Sequence, residues 1–446
     1  MKWRYTALCA VLIWLLCGCS TVVSVENLLT PPKLTAEQNE IYQTLISSVG
    51  TNIKLKYPKG GDYRSAFVLE NIDDEPGEEA LVFYESQSVQ SGESALRLKF
   101  LDKFGGEWQS VYDLTCSGTE VDSISFSKLG EGDSVNIIVR YSMLNQTEKS
   151  FSVLNYREGI PVELLASSYS CLEVFDLNSD GLDELFAVVV DKANQMSTAI
   201  LYSNSENGFE RLSETPLCGG AVDYLGVIKG QINENINAVF LDYSRGSGQY
   251  GTDVVYCYGN RMVNPDTAGI DDPAALLSRF TNDYLSEIRC VDIDNDGYIE
   301  IPATIPLPGY ETLTRPEQLC AVTWYTVQDD NVVMEHYGYL STKNNFALLF
   351  PNRWRGVVSA VVNYSENEVI FISYNTAVGL VVDESTELMR IRAVAKDDTA
   401  AMEAVKDMNV LGENDDTVYY FSETRNYRTG KLALTESELQ NCFIIL

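Results

Sequence analysis

Short apolar runs alternate with acidic or glycine-bearing turns over most of the chain, and this texture predicts antiparallel sheet. Runs at residues 66–69, 80–84, 96–101 and 108–114 form a first set of four strands, separated by turns such as Phe104-Gly105-Gly106. A second set falls at 123–126, 135–141, 150–154 and 162–165, and a third at 172–175, 185–190, 197–202 and 209–212. In the third set the run Leu185-Phe-Ala-Val-Val-Val190 is apolar throughout, as a strand buried on both faces should be. A fourth set lies at 224–228, 238–243 and 253–258, with a weaker last run at Met262-Val263, and a fifth begins at 287 and ends in 321–327 and 332–339. Residues 52–57 supply a lead-in strand.

Helix signals mark four places. Ile41, Leu45 and Val49 form one stripe, with Thr35 and Gln38 placed for a reciprocal capping box and Gly50 for the stop. Asp272-Pro273 opens a helical insertion over 271–285, since aspartate caps and proline suits the first helical position. After Leu340 the repeat gives way to strands at 357–362, 368–374 and 388–394, a helix from Asp398, a strand at 418–421 and a last helix capped by Thr435 with Glu438. That order predicts a small α+β domain over 341–446.

The candidate chemistry lies in the turns. Asp176-Leu-Asn178-Ser-Asp180-Gly181-Leu182-Asp-Glu184 returns as Asp292-Ile-Asp294-Asn-Asp296-Gly297-Tyr298-Ile-Glu300. Side-chain oxygens at positions 1, 3, 5 and 9, a turn-forming glycine at 6 and the carbonyl of Leu182 or Tyr298 at 7 are the donors a hard cation such as Ca²⁺ requires. The flanks read as strands, not as the helices of an EF-hand. A weaker copy, with Asn71, Asp73, Glu75 and Glu79, keeps the oxygens and loses the glycine at 6. Residues 229–237 keep polar spacing behind Lys229, which would repel a cation, and 127–136 hold fewer ligands still. The five starts, at 71, 127, 176, 229 and 292, recur about every 55 residues, a period that suits a four-stranded blade. A hydrogen-bonded Asx-rich turn without metal is the alternative for each loop.

The phrase Val-Phe-Asp-Leu-Asn-Ser-Asp-Gly-Leu-Asp-Glu-Leu at 174–185 resembles the FG-GAP/VCBS-type β-propeller repeat. The resemblance implies a calcium-holding loop between the first two strands of each blade. It also implies a mainly β fold, a propeller of about five four-stranded blades over 61–340 followed by the α+β domain. Phe346-Ala-Leu-Leu-Phe350-Pro351-Asn-Arg-Trp354 is similar to the opening hairpin of Mog1/PsbP-like α/β sandwich domains, which act as binding or scaffolding modules.

Lys2 and Arg4 precede an apolar segment from Tyr5 to Cys17 and the sequence Leu16-Cys17-Gly18-Cys19, the order of a secretory signal. The last four residues resemble a bacterial lipobox, which would remove 1–18, lipidate Cys19 and leave 19–34 as a tether ahead of the helix and lead-in strand of 35–60. An uncleaved anchor, or a plain signal cut near Gly18, is the alternative. The chain would then sit in the cell envelope, on the outer side of the cytoplasmic membrane or in the outer membrane, held by lipid alone. With 64 acidic and 32 basic side chains, its net charge of −32 disfavours nucleic acid and favours cations. Seven cysteines lie beyond Cys19, without C-x-x-C spacing, so neither a disulfide framework nor a zinc site is indicated.

His336 is the single histidine, too few for the usual zinc hydrolase centres, and neither a nucleophile elbow nor a phosphate loop is present. The expectation is therefore a monomeric, calcium-stabilised binding or scaffold lipoprotein for an envelope protein or glycan, without catalysis. Tyr310, Trp324 and Tyr325 are candidates for sugar stacking if exposed. The alternative is a glycan-active envelope hydrolase, which needs only a suitably spaced pair of carboxylates.

Overall fold

The apolar runs pair into antiparallel sheets that follow one another along the chain. The computed structural model describes residues 34–446 except 74, 88–94, 132–133, 144–148, 206–207, 234–235, 247, 268–287, 329–330, 425–427 and 429. The signal, Cys19, nearly all of the tether and the 271–285 insertion therefore lie outside the described residues. Among those described, the first sheet spans 53–115, the second 120–169, the third 171–216 and the fourth 223–263. The fifth takes 301–349 together with Phe443–Ile445, and the sixth spans 358–423. The chain is mainly β, built from small antiparallel sheets of four or five strands.

Side-chain alternation decides how the sheets meet. In the strand Glu79–Ser86, Ala80, Val82 and Tyr84 face a helix, α1 (Ala36–Val49), while Leu81 and Phe83 face the second sheet at Ile137 and Val139. The helix forms as its stripe predicts: Thr35 and Gln38 close the capping box, and Ile41 and Leu45 are fully buried. Burying such a leucine contributes about 1.5–3 kcal/mol. The second sheet meets the third through Ile138, Phe151 and Val153 against Leu185 and Ala187. Phe186, Val188 and Leu201 then meet Val239, Leu241 and Val255 of the fourth.

The fourth sheet meets the fifth through Phe240 and Val254 against Ile301 and Val327. Tyr339, Phe346 and Leu348 of the fifth share a core with Ala360, Phe371 and Ile391 of the sixth. A second helix, α2 (Thr399–Ala404), covers part of the sixth sheet's far face, with Met402 and Val405 over Val394, Val418 and Tyr420. A third, α3 (Glu436–Cys442), leads into the C-terminal strand. No helix among the described residues is long and apolar enough to cross a membrane.

The boundary expected at 340/341 falls inside the fifth sheet. Phe346–Leu349 pairs with the strand Asn331–Ser341 on one side and with Phe443–Ile445 on the other. Trp354 and Phe350 are core residues, and the Trp354 indole N–H donates to the Leu432 carbonyl at 2.7 Å. The stacking candidates are not exposed platforms: Trp324 is buried, Tyr325 packs against the core between the fourth and fifth sheets, and the Tyr310 hydroxyl donates to Ala360 O at 3.0 Å. The seven cysteines of the described region are free thiols.

One irregularity recurs. Where the second strand after the acidic turn pairs with the next strand, the first, second, third and fifth sheets each carry a bulge at the same place in the register, with Val111, Leu164, Leu212 and Glu335 as the extra residue. Bulges of this kind re-aim side chains beside the extra residue.

Candidate metal-binding loops

Four of the five acidic spacings fold as loops, each closed from within by one repeated contact. Position 2 is a buried apolar residue, Ile72, Leu129, Leu177 or Ile293, and its N–H donates to the side chain at position 9. The distances are 2.9 Å to Glu79 Oε2, 3.4 Å to Asn136 Oδ1, 3.1 Å to Glu184 Oε2 and 2.8 Å to Glu300 Oε2. Pairing of Ser127 with Asn136 matches that of Phe175 with Glu184, so the second loop runs from Lys128, one residue later than the sequence spacing places it. The equivalence of Asn136 to the loop glutamates is visible only from this register.

The two strong loops share further geometry. In the third sheet Asp176 accepts the N–H groups of Asp180 and Gly181 at 3.2 and 2.8 Å, Asn178 accepts that of Asp180 at 2.9 Å, and Asp180 accepts that of Leu182 at 2.9 Å. The fifth repeats this, with Asp292 accepting from Asp296 and Gly297 at 3.0 Å each, Asp294 from Asp296 at 3.2 Å and Asp296 from Tyr298 at 2.9 Å. Gly181 and Gly297 take φ of 89° and 95°, which a β-carbon would strain. Carboxylate oxygens of Asp176, Asp180 and Glu184 converge within 4.8 Å of one another, and those of Asp292, Asp294 and Asp296 do the same. These acidic clusters have the composition to bind a metal ion.

The other loops depart from this arrangement. Asp73, Glu75 and Glu79 do not converge to that distance among the described residues; Asp73 instead accepts the Glu75 N–H at 2.8 Å, and Asn71 donates to the Glu75 carbonyl at 3.1 Å. Pro76 where the strong loops have glycine is the sequence difference. Residues 229–237 form no such loop, because Asp223–Asn233 and Ile236–Gly246 pair as a hairpin up to Asn233 and Ile236. Lys229 lies over the Phe175 ring at 5.1 Å.

Burial dominates the electrostatics. It pushes Glu79 and Glu184 up to about 7 and Glu300 up to about 8, opposed in each by the position-2 N–H and reinforced by neighbouring loop aspartates. A cation at the loop centre would favour the anionic form of each. Neighbouring loops also touch: Gly130 N–H donates to Asp183 O at 2.8 Å, Asn237 to Ser179 Oγ at 2.8 Å, and Ile299 N–H to Gln231 O at 3.3 Å. Gly230 permits the last approach, since a β-carbon there would lie 2.2 Å from the Ile299 side chain. His336 comes within 2.9 Å of Asp294, a proximity its position in the sequence does not signal.

No known family profile matches the chain, and no curated protein matches it. Among solved structures it is similar to an exotype rhamnogalacturonan lyase, at 11 % identity and a TM-score of 0.25, over 76 % of this chain and 62 % of the lyase. It is likewise similar to a family GH43 β-1,3-galactosidase, at 7 % identity and a TM-score of 0.24, over 67 % of this chain and 95 % of the other. A third similar structure is a protein from Lactobacillus plantarum, at 8 % identity and a TM-score of 0.25, over 71 % and 93 %.

Proposed function

We propose that this chain is a bacterial envelope lipoprotein, tethered through Cys19, that serves as a calcium-stabilised binding or scaffold module for an envelope protein or glycan. Its sheets are the blades of an FG-GAP/VCBS-like propeller array, with the sixth sheet extending the series. The reading is carried by the third and fifth loops, 116 residues apart in sequence, in each of which three acids converge behind the same internal hydrogen bonds. Ca²⁺ at Asp176, Asn178, Asp180, Glu184 and the Leu182 carbonyl, and at Asp292, Asp294, Asp296, Glu300 and the Tyr298 carbonyl, would bind in the range of extracellular modules, about 10⁻⁴ to 10⁻³ M. The hydrolase alternative calls for two partly desolvated carboxylates facing one cleft. Glu79, Glu184 and Glu300, which burial raises, are each occupied in closing a loop instead.

The decisive experiment compares thermal melting with and without Ca²⁺ in the parent and in the Asp180→Ala, Asp296→Ala double variant. Calcium should raise the melting temperature of the parent and leave the double variant unmoved; an equal rise in both defeats the assignment. The anchor is tested separately, since Cys19→Ser should abolish lipid labelling, and retained labelling rules it out.

A further inference from the structure

We propose that His336, Glu335 and Asp294 form a second cation site beside the fifth loop, one that takes a borderline divalent transition cation of the Zn²⁺ class. Their ligand atoms lie within 4.8 Å of one another, with His336 Nε2 2.9 Å from Asp294 Oδ2. Asp294 divides its two oxygens. Oδ1 accepts the Asp296 N–H inside the loop at 3.2 Å, and Oδ2 faces the histidine.

Adjacent residues of a strand ordinarily point to opposite faces. Here His336 pairs with Trp324 and Met334 with Tyr325, so Glu335 is the extra residue of the bulge and its carboxylate reaches the same cluster as the imidazole. The equivalent extra residues in the first three sheets are Val111, Leu164 and Leu212, and the residues after them are Tyr112, Leu165 and Ser213. In this series the fifth sheet alone sets a carboxylate and an imidazole side by side there; the second gives both positions to leucine, and the third gives the latter to Ser213, which accepts the Met262 N–H at 2.9 Å.

An independent observation points to a ligand. Glu300 is 0 % exposed and its Oε2 holds the Ile293 N–H, while its Oε1 has no hydrogen-bond partner among the described residues. Its bond to Ile293 holds it beside the residue before Asp294, and the pairing of Pro302 with Trp324 and of Trp324 with His336 sets Glu300, two residues before Pro302, on the face of the sheet that carries the imidazole. A buried carboxylate oxygen left without a donor is costly, and a cation at the cluster would supply its partner, one it would share with a calcium ion wherever the loop holds one. Ca²⁺ is served by oxygens alone, whereas one imidazole with carboxylates suits zinc and its neighbours. His336 and Asp294 keep partly exposed side chains, which give the ion a route from solvent. The site does not require calcium in the loop.

Titration of the full-length protein with Zn²⁺ alone, followed by calorimetry, tests the proposal. The parent should bind one zinc ion that His336→Gln and Glu335→Gln each weaken by more than about 10-fold. Unchanged zinc affinity in His336→Gln, or no zinc binding by the parent, overturns it. Co²⁺ spectra of the unmodified protein provide a measurement independent of any variant's folding: carboxylate and imidazole ligation should give no thiolate charge-transfer band, and such a band would assign the ion to the cysteines and sink the site. Calcium is titrated separately, so loss of the calcium response without loss of zinc binding counts against the calcium reading only.

Discussion

At the residue scale, the buried acids do two kinds of work, and the sequence distinguishes them poorly. Asp253, buried in the fourth sheet, accepts from the Tyr224 hydroxyl at 2.8 Å, the Cys218 N–H at 3.1 Å and Asn264 Nδ2 at 2.7 Å. Burial raises its pKa and these donors oppose the rise. Asp253→Ala should therefore cost about 3 kcal/mol in urea unfolding, because three buried donors lose their acceptor; a loss within error would show that water replaces the carboxylate. Position 9 of the loops was legible as a candidate ligand, since oxygen donors at fixed spacing announce themselves. Its second role, holding the position-2 N–H, was not, because backbone partners leave no mark in composition. Asn136 does this with a neutral amide. Glu79→Gln should accordingly be nearly neutral at pH 7, while Glu79→Ala should cost about 1–3 kcal/mol by leaving the Ile72 N–H buried and unpaired. Equal losses in the two variants would make the charge, not the hydrogen bond, the essential feature.

At the scale of elements, strand runs and helix caps were readable because period and capping are local. The residues on both sides of Asp176 announced strands that form, as did those after the Asp292 loop, whereas ahead of Asp292 the described residues make only the isolated bridge of Val291 with Glu300; Thr35 and Thr435 announced helix starts that form with full capping boxes. What depended on distant partners was not readable. The polar spacing after Lys229 looked like a fourth loop, yet cross-strand pairing carries it as a hairpin. Phe443–Ile445 joins the fifth sheet only because α3 delivers it there. Arg353 pins that helix, donating to both carboxylate oxygens of Glu438 at 2.8 and 3.0 Å and to the Ala433 carbonyl at 2.7 Å. The arginine's hydrogen bonds, with the Thr35-like cap from Thr435, hold Glu438 down to about 2 from its ordinary value near 4.5. A carboxyl depressed in the folded state stabilises above its unfolded pKa and loses that contribution as pH falls from about 4.5 towards 2. Hydrogen exchange over 436–445 should therefore quicken across that window in the parent, and Glu438→Gln should remove this part of the pH dependence. An unaltered profile in the variant would place the acid sensitivity elsewhere.

At the scale of the whole molecule, the described cores join each element to the next, from α1 through six sheets to α2. The sequence displayed the repeat but set the C-terminal part aside as a different domain, because its helices break the rhythm. The shared core of the fifth and sixth sheets is a tertiary contact, carried by Tyr339, Phe346 and Phe371. In such an array each sheet depends on its immediate neighbours, and the ends need caps. Ile41 and Leu45 of α1 cover the outer face of the first sheet at Ala66, Val82 and Leu101, the face that a closed ring would offer to its last blade. Leu45→Ala should cost about 2–5 kcal/mol through the cavity it leaves. The distribution of that loss is more telling than its size. Hydrogen-exchange protection should fall in residues 53–115, less in 120–169, and stay unchanged in 358–423. An equal fall in the sixth sheet would mean that the first and last sheets support each other directly, and the capped series would have to be redrawn as a ring.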